Sequence, residues 1–363
     1  MYVPFVDLKA QYLSIKDEID TAIQNVINDT AFIKGKYVKR FEEEYAQTYG
    51  VKHVVSCANG TDAIYIILKA MGIGPGDEVI TTALSWISTS ETITQAGARV
   101  VFVDINPDYY TIDPDQIEEK ITDRTKAIIP VHLYGHPANM SKVMAIANKY
   151  NLKVIEDCAQ SHFAKWLGQN VGTIGDAGTF SFFPGKNLGA YGDAGCIITN
   201  DDKLALKARM FAGHGAIKKH SHELEGINSR LDGLQAAILS VKLKYINEWT
   251  ELRIQHAATY SELLSNGDNI VTPLTHENAK HVFHLYVIRS DNRDGLQKKL
   301  KEKEVSSGIH YPTALPYLKA YSYLKHSPED FSIAYKFPEN ILSLPMYPEL
   351  DNKIIKSVSN ILI

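Results

Sequence analysis

Between residues 53 and 158 the chain repeats one pattern: a short β-branched run, a turn marked by Gly or Pro, a helical stretch, then another run. HVVSCANGTDAIYIILKAMGIGPGDEVI reads as strand, tight turn, helix, turn and strand, and RVVFVDI, AIIPVHL and LKVIEDC extend the series. Strands that alternate with helices pair in parallel, because each crossover carries the chain back to the same end of the sheet, and a parallel sheet needs cover on both faces. The fold class expected is α/β with a mainly parallel sheet. Two helices are expected before it, over 7–29 and 36–49, where Ile15, Ile19, Ile23 and Val26, then Val38, Phe41 and Tyr45, recur at helical spacing. Short helices are expected through the 80s and early 90s and near 114–121, then at 139–150 and 201–211, and a long one from 231 to about 262. Near residue 250 the character changes to a strand HVFHLYVIRS, a helix over 294–303 and a proline-punctuated region holding Pro312, Pro316, Pro338, Pro345 and Pro348. The expected units are 1–249 and 250–363.

Composition narrows the classes. The 363 residues are 45% hydrophobic and 22% charged, enough for a large core and more than one domain. A net charge of −4 gives no general attraction to nucleic acid, and no apolar run is long enough for a membrane span. MYVPFVDLKAQY lacks the cationic start and apolar stretch of a signal peptide, so a cytoplasmic protein is expected. Cys57, Cys158 and Cys196 lie far apart in or beside apolar runs, without metal-ligand spacing, and read as buried thiols; no metal site is expected.

Ligands of such sheets sit beyond the carboxyl ends of the strands, so each end is read for its chemistry. The first delivers Asn59-Gly60-Thr61-Asp62 where a helix begins, which suits a monophosphate held by free amides and the Thr61 hydroxyl; a plain N-cap explains the tetrapeptide equally well. A dinucleotide site would want Gly-x-Gly-x-x-Gly, and only one glycine is present. The next end leads to Trp86, either a packing residue or a platform for a flat ring. LKVIEDC ends on Glu156 and Asp157, followed by Gln160 and His162. An acid there needs a partner: an ion pair, a cap, or a ring nitrogen whose proton it holds. The stretch SFFPGKNLGAYGDAG then sets Lys186 in a loop between an aromatic run and an apolar strand, with Ser181 just upstream. Most lysines are solvated charges, but a partly desolvated one becomes nucleophilic and can condense with an aldehyde. Cradle, aromatic, acid, hydroxyl and amine together are the set that pyridoxal 5'-phosphate (PLP) requires.

Nearly end to end, the chain resembles the DegT/DnrJ/EryC1/StrS sugar aminotransferases, through VPFVDLKAQY, AFIKGKYVKRFEEEYA, NGTDA, GIGPGDEVI, VFVDI, VHLYGHPANM, VIEDCAQSH, SFFPGKNLGAYGDAG, GINSRLDGLQAAIL and GIHYP. The resemblance implies the aspartate aminotransferase fold (fold type I), with a large PLP-binding domain over 1–249 and a small C-terminal α/β domain over 250–363. It implies Lys186 carrying PLP as an internal aldimine, Asp157 at the pyridine nitrogen, Gln160 at the ring 3'-oxygen and Trp86 over one ring face. Gly60, Thr61 and Ser181 would take the phosphate, joined by Asn228 from the other subunit of a homodimer. The implied reaction is ping-pong transamination from glutamate to a nucleotide-linked keto-deoxysugar. Asp62 in NGTDA resembles members that act at C-3, which favours a dTDP-3-amino-3,6-dideoxyhexose transaminase.

Several residues keep two readings. The loop HGAIKKHSHELEG, with Lys218, Lys219, His220 and His222, is a solvated loop or a contact for the sugar-nucleotide diphosphate. His310 and Tyr311 in GIHYP close over the sugar or pack between domains, and Arg230 meets the donor carboxylate or ties its own loop. Phe163 stands where the family commonly has glycine and would reshape a pocket wall; Phe183 stands where a polar residue is frequent and would remove a hydroxyl near the sugar. Three rivals remain. A dehydratase of the same fold would carry histidine in place of Lys186. A PLP-binding regulator without catalysis is a second, although the chain has no appended DNA-binding segment or basic stripe. An aminotransferase for a C-4 keto sugar or a cyclitol ketone shares the motif set. Neither nucleic acid nor membrane is an expected partner.

Overall fold

The β-branched runs form the strands that the alternation predicts. In a computed structural model, which describes residues 2–218, 220–265, 267 and 269–363, these are β1 (His53–Cys57), β2 (Glu78–Thr82), β3 (Arg99–Val103), β4 (Thr125–Ile129) and β5 (Lys153–Asp157). With β6 (Ala177–Ser181) and β7 (Gly195–Thr199) they make one sheet of order β1-β7-β6-β5-β4-β2-β3. Neighbours from β6 to β3 run parallel, whereas β7 is antiparallel to both β1 and β6. The reversal arises because β7 follows β6 through a loop with no crossover helix. Every residue of β2 and of β7 is buried, as expected for strands covered on both faces.

The helix Gly60–Ala70 is capped by Asn59, whose side chain accepts from the Asp62 amide at 2.8 Å. It is apolar around most of its circumference, with Ala63, Ile64, Ile66, Ile67, Leu68 and Ala70 all buried, because it lies between the sheet and the helix Asp202–Ala212. On the opposite face the helix Gly35–Tyr49 inserts Phe41 and Tyr45, both fully buried, among Phe180, Phe182 and Ile198. Each such side chain contributes roughly 2–3 kcal/mol of burial.

The structure departs from the sequence reading where periodicity runs through a break. The first segment is two helices, Leu8–Ser14 and Lys16–Asn28, separated at Ile15, whose φ of −127° is not helical. Residues 114–120 are two 3-10 turns instead of a helix. The long helix is two, Gly233–Leu243 and Ile246–Leu264. The second runs unbroken through residue 250: its Trp249 belongs to the buried cluster of Phe180, while its Tyr260 stacks on Tyr286 in the cluster that holds Leu300 and Val358. The expected boundary at residue 250 therefore falls inside a continuous helix. Of HVFHLYVIRS only β8 (Tyr286–Arg289) is strand, paired antiparallel with β9 (Ile341–Leu344). Val3 also joins that core, its backbone bridging to Val305.

Phe163 does not shape a pocket wall. It is 6% exposed and packs on Tyr49, with ring centroids 4.4 Å apart, in the core beneath the sheet. The three cysteines are free and buried, as expected. Among the described residues no helix is long and apolar enough to cross a membrane.

Candidate active site

Because β1, β2, β5 and β6 run in one direction, their carboxyl ends share one rim of the sheet, and the residues singled out at strand ends meet there. Gly60 packs directly on Ser181: a Cβ on Gly60 would sit 2.7 Å from the Ser181 Cβ, so only glycine lets the ends of β1 and β6 approach so closely. The amides of Gly60 and Thr61 lie in the first helical turn, where no intrahelical carbonyl can take them. Thr61 Oγ1 lies 2.7 Å from Ser88 Oγ. The result is a positive, donor-rich concavity suited to an anion.

Asp157 is 4% exposed and held through both backbone and side chain. Its amide donates to Pro130 O at 2.9 Å and its carbonyl accepts from the His132 amide at 3.1 Å. Its carboxylate accepts from Thr89 Oγ1 at 2.7 Å and from the Ala159 amide at 3.1 Å. Glu156, its neighbour, faces away into a closed network. It accepts from the Ile174 and Gly175 amides at 2.8 and 2.7 Å and from His132 Nε2 at 3.0 Å, while His132 Nδ1 accepts from the Ala138 amide. Cys158 lies beside this pair, and with the carboxylate and both ring nitrogens engaged by these bonds the network pins the end of β5.

Lys186 follows the turn Phe183–Lys186, closed by its amide donating to Phe183 O at 2.8 Å. Burial lowers its ammonium to about 8, with the negative charge of Asp157 pulling the other way. His162 donates from Nε2 to Ser181 O at 2.9 Å and accepts from the Tyr45 hydroxyl at Nδ1, bracing the end of β6; burial lowers it to about 4. Gln160 is buried, its Oε1 taking the Tyr134 amide at 2.6 Å and its Nε2 donating to the Tyr311 hydroxyl at 2.9 Å. Since that amide has two protons, one remains for a ligand.

Trp86 is 59% exposed and tilted 5.7 Å from the Tyr311 ring, so it is a surface at the rim and not core packing. His310 stacks on Phe5 at 5.4 Å and bonds Ser343 Oγ through Nδ1 at 2.9 Å, and its carbonyl accepts from the Tyr134 hydroxyl. Burial lowers His310 to about 4 and pushes the Tyr311 hydroxyl up. The segment GIHYP is thus tied to Tyr134 and Gln160 of the sheet rim.

Other candidates lie apart. Asn228 is exposed, its backbone bridging to Gly213. The next residue, Ser229, is buried; its Oγ accepts from the Ala58 amide at 3.0 Å and donates to Asp62 Oδ2 at 2.6 Å, so GINSR lies against the glycine turn. Arg230 lines a cleft of about 430 Å³ with Lys34, Lys39, Arg209 and Ser56. His220 is exposed, and Lys219 lies outside the described residues. Phe183 is 56% exposed beside Ser181. Sequence reasoning missed Thr89 and Tyr134. The signal for Thr89 was a helix, STSETITQ, in which four of the five buried positions, Ser88, Thr89, Ser90 and Thr92, are hydroxyl residues and the fifth is Ile93.

The family model described as the DegT/DnrJ/EryC1/StrS aminotransferase family matches residues 13–363. The chain is 49% identical to a pleiotropic regulatory protein of Geobacillus stearothermophilus, over 96% of this chain and 95% of that one. It is 44% identical to UDP-2-acetamido-2-deoxy-3-oxo-D-glucuronate aminotransferase of Pseudomonas aeruginosa, over 98% of both. It is 42% identical to dTDP-3-amino-3,6-dideoxy-alpha-D-galactopyranose transaminase of Aneurinibacillus thermoaerophilus, over 98% of this chain and 97% of that one. Its structure is similar to the crystal structure of S. venezuelae DesV in complex with a ketimine intermediate, with a TM-score of 0.97 and 37% identity, over 99% of this chain and 97% of that one. It is also similar to that of NtdA from Bacillus subtilis with bound cofactor PMP, with a TM-score of 0.90 and 33% identity, over 99% and 85%.

Proposed function

We propose, on the premise that this chain belongs to the DegT/DnrJ/EryC1/StrS aminotransferase family, that it uses PLP to move an amino group from glutamate to C-3 of a nucleotide-linked keto sugar. The observation that carries this reading is a half-buried lysine, lowered to about 8, within electrostatic reach of the buried Asp157 on the rim that also holds the glycine cradle. The donor set fits the cofactor. The close approach at Gly60, the free first-turn amides, Thr61 and Ser181 suit a phosphate. Asp157, held by Thr89 and Ala159, suits a protonated ring nitrogen. When bound, PLP would supply an electron sink for the carbon that carries the migrating nitrogen.

The chain's own residues would do the rest. Asp157 holds a proton at the ring nitrogen, and Gln160 gives its second amide proton to the ring oxygen. Trp86 covers one face. Lys186, lowered to about 8, exchanges its proton readily near neutrality and moves one to and from the substrate carbon. His310 and Tyr311 border the acceptor sugar, and His220 and Lys219 meet the diphosphate. Asn228, exposed on its own chain, reaches the phosphate in the other site of a homodimer. The enzyme works in the cytoplasm.

The acceptor we propose is a dTDP-linked 3-keto-6-deoxyhexose, on the Asp62 motif and the resemblance to the Aneurinibacillus transaminase. A UDP-linked 3-oxo sugar is the second reading, favoured by the 44% identity to the Pseudomonas aminotransferase. Assaying dTDP-3-keto, dTDP-4-keto and UDP-3-oxo sugars side by side with glutamate tests both. Preference for the first supports the proposal, preference for the third transfers it to UDP sugars, and exclusive use of the 4-keto compound overturns C-3 amination.

A further inference from the structure

The segment His281–Leu285 crosses beside the loop that carries Lys186, and its backbone is fixed on two sides. The turn at Tyr134–Gly135 accepts from the Val282 amide at 3.0 Å and the Leu285 amide at 3.2 Å, and a Cβ on Gly135 would lie 2.9 Å from the backbone nitrogen of His284. On the other side Asn187, adjacent to Lys186 and 3% exposed, donates from Nδ2 to Val282 O at 3.1 Å. A carbonyl can only accept, so this bond fixes which way the Asn187 amide faces and leaves its Oδ1 toward His284. His284 Nδ1 lies 3.3 Å from that oxygen. An amide oxygen also only accepts, so Nδ1 carries the proton and Nε2 of the neutral ring does not. The charged and titratable groups acting on this imidazole are Lys186, Arg253, His310 and His162, all of which disfavour its cationic form, as does burial.

We propose that His284 is a positioning residue for Lys186: its Nδ1–H, bonded to Asn187, holds the lysine's loop against the 282–285 segment and sets the place from which the amine works. The inference rests on the reading of Lys186 as the residue that carries PLP. It assigns a role to the central HL of HVFHLYVIRS, which the sequence presents only as strand.

Three variants separate this role from bulk packing. His284→Asn keeps a donor near the Nδ1 position, His284→Gln moves the amide toward the Nε2 position, and His284→Phe removes both. The readouts are the midpoint of the absorbance change of the PLP-loaded full chain on pH titration, and kcat against KM. The expected result is that the Asn variant keeps the wild-type midpoint, while the Gln and Phe variants shift it by at least about half a pH unit. Those two should also lose roughly tenfold in kcat, as other supporting residues do, with KM for both substrates little changed. Equal behaviour of the Asn and Gln variants, or wild-type titration in all three, would overturn the role. Should the Phe variant not fold, the Asn and Gln comparison decides alone. A wild-type chain that takes up no PLP on Lys186 would instead overturn the underlying functional reading.

Discussion

At Thr89 a hydroxyl on a buried helix face meets the carboxylate of Asp157 at 2.7 Å, and this contact makes a sharp demand. Thr89→Val keeps the shape but leaves a buried carboxylate oxygen without its donor, a loss of about 1–3 kcal/mol. We expect kcat/KM to fall roughly tenfold or more, with Thr89→Ser retaining most of it; steady-state assays of both variants check this. Phe163 poses a different balance. It holds φ at 62°, a left-handed conformation that costs a bulky residue about 1–2 kcal/mol, where glycine would be at ease. Against this stands the packing of a buried phenyl ring, about 3–5 kcal/mol, so packing wins. Phe163→Gly should lower stability by about 2–3 kcal/mol in urea melts; a variant more stable than wild type would show that backbone strain dominates. At this scale the meeting of Lys186, Asp157 and Gly60 at one rim of the sheet was legible, because all three follow strand ends in the sequence. Thr89 and His284 were not: a hydroxyl helix and a half-buried histidine look the same in sequence whether or not they face a reactive group.

Among the elements, the loop between β6 and β7 is held from below by the helix Gly233–Leu243. Lys242 on that helix is fully buried; its Nζ donates to Gly189 O at 2.8 Å and lies 4.4 Å from the centre of the Tyr191 ring. Phe182 and Ala190 close the same loop through backbone bonds to Ala194 and Phe182. Lys242→Met would keep much of the apolar stem but leave the Gly189 carbonyl unpaired, at about 1–3 kcal/mol. The expected outcome is a lower melting temperature together with faster loss of PLP on dilution. A drop in stability with unchanged cofactor retention would show that the helix supports the core but not the loop. The alternation of strands and helices was readable because burial on both faces writes itself into runs of β-branched residues. The breaks at Ile15 and Lys244–Tyr245 were not, since apolar spacing continues across them and only tertiary packing decides where the axis turns.

For the molecule as a whole, burial of neutral histidines predicts acid sensitivity. His136 and His162 are both lowered to about 4, chiefly by burial. Between that value and an unfolded value near ~6.5, only the unfolded chain takes up their protons. Stability is therefore full above the unfolded value and declines as pH falls toward 4, each histidine withdrawing on the order of 3 kcal/mol by then. Melting temperatures across that window should fall steadily, and His162→Gln should flatten the slope; a slope unchanged in the variant would remove His162 as a cause. The proposed homodimer has its own test. Mixed dimers of Lys186→Ala and Asn228→Asp chains would contain one intact site each if Asn228 acts across the interface, restoring roughly a quarter of wild-type sites, and none if it acts within its own chain. A change of character near residue 250 was readable from the sequence, but not that the helix Ile246–Leu264 would run through it without a break.

Among the described residues two lysines are lowered to about 8, and they differ in one respect: Lys242 is spent on the Gly189 carbonyl and the Tyr191 ring, whereas Lys186 follows the end of β6, within electrostatic reach of Asp157. Borohydride reduction of the PLP-loaded protein, followed by digestion and peptide mapping, distinguishes them. The pyridoxyl tag is expected on Lys186, in the peptide spanning SFFPGKNLGAYGDAG. A tag on Lys242, on any other lysine, or on none would contradict that assignment.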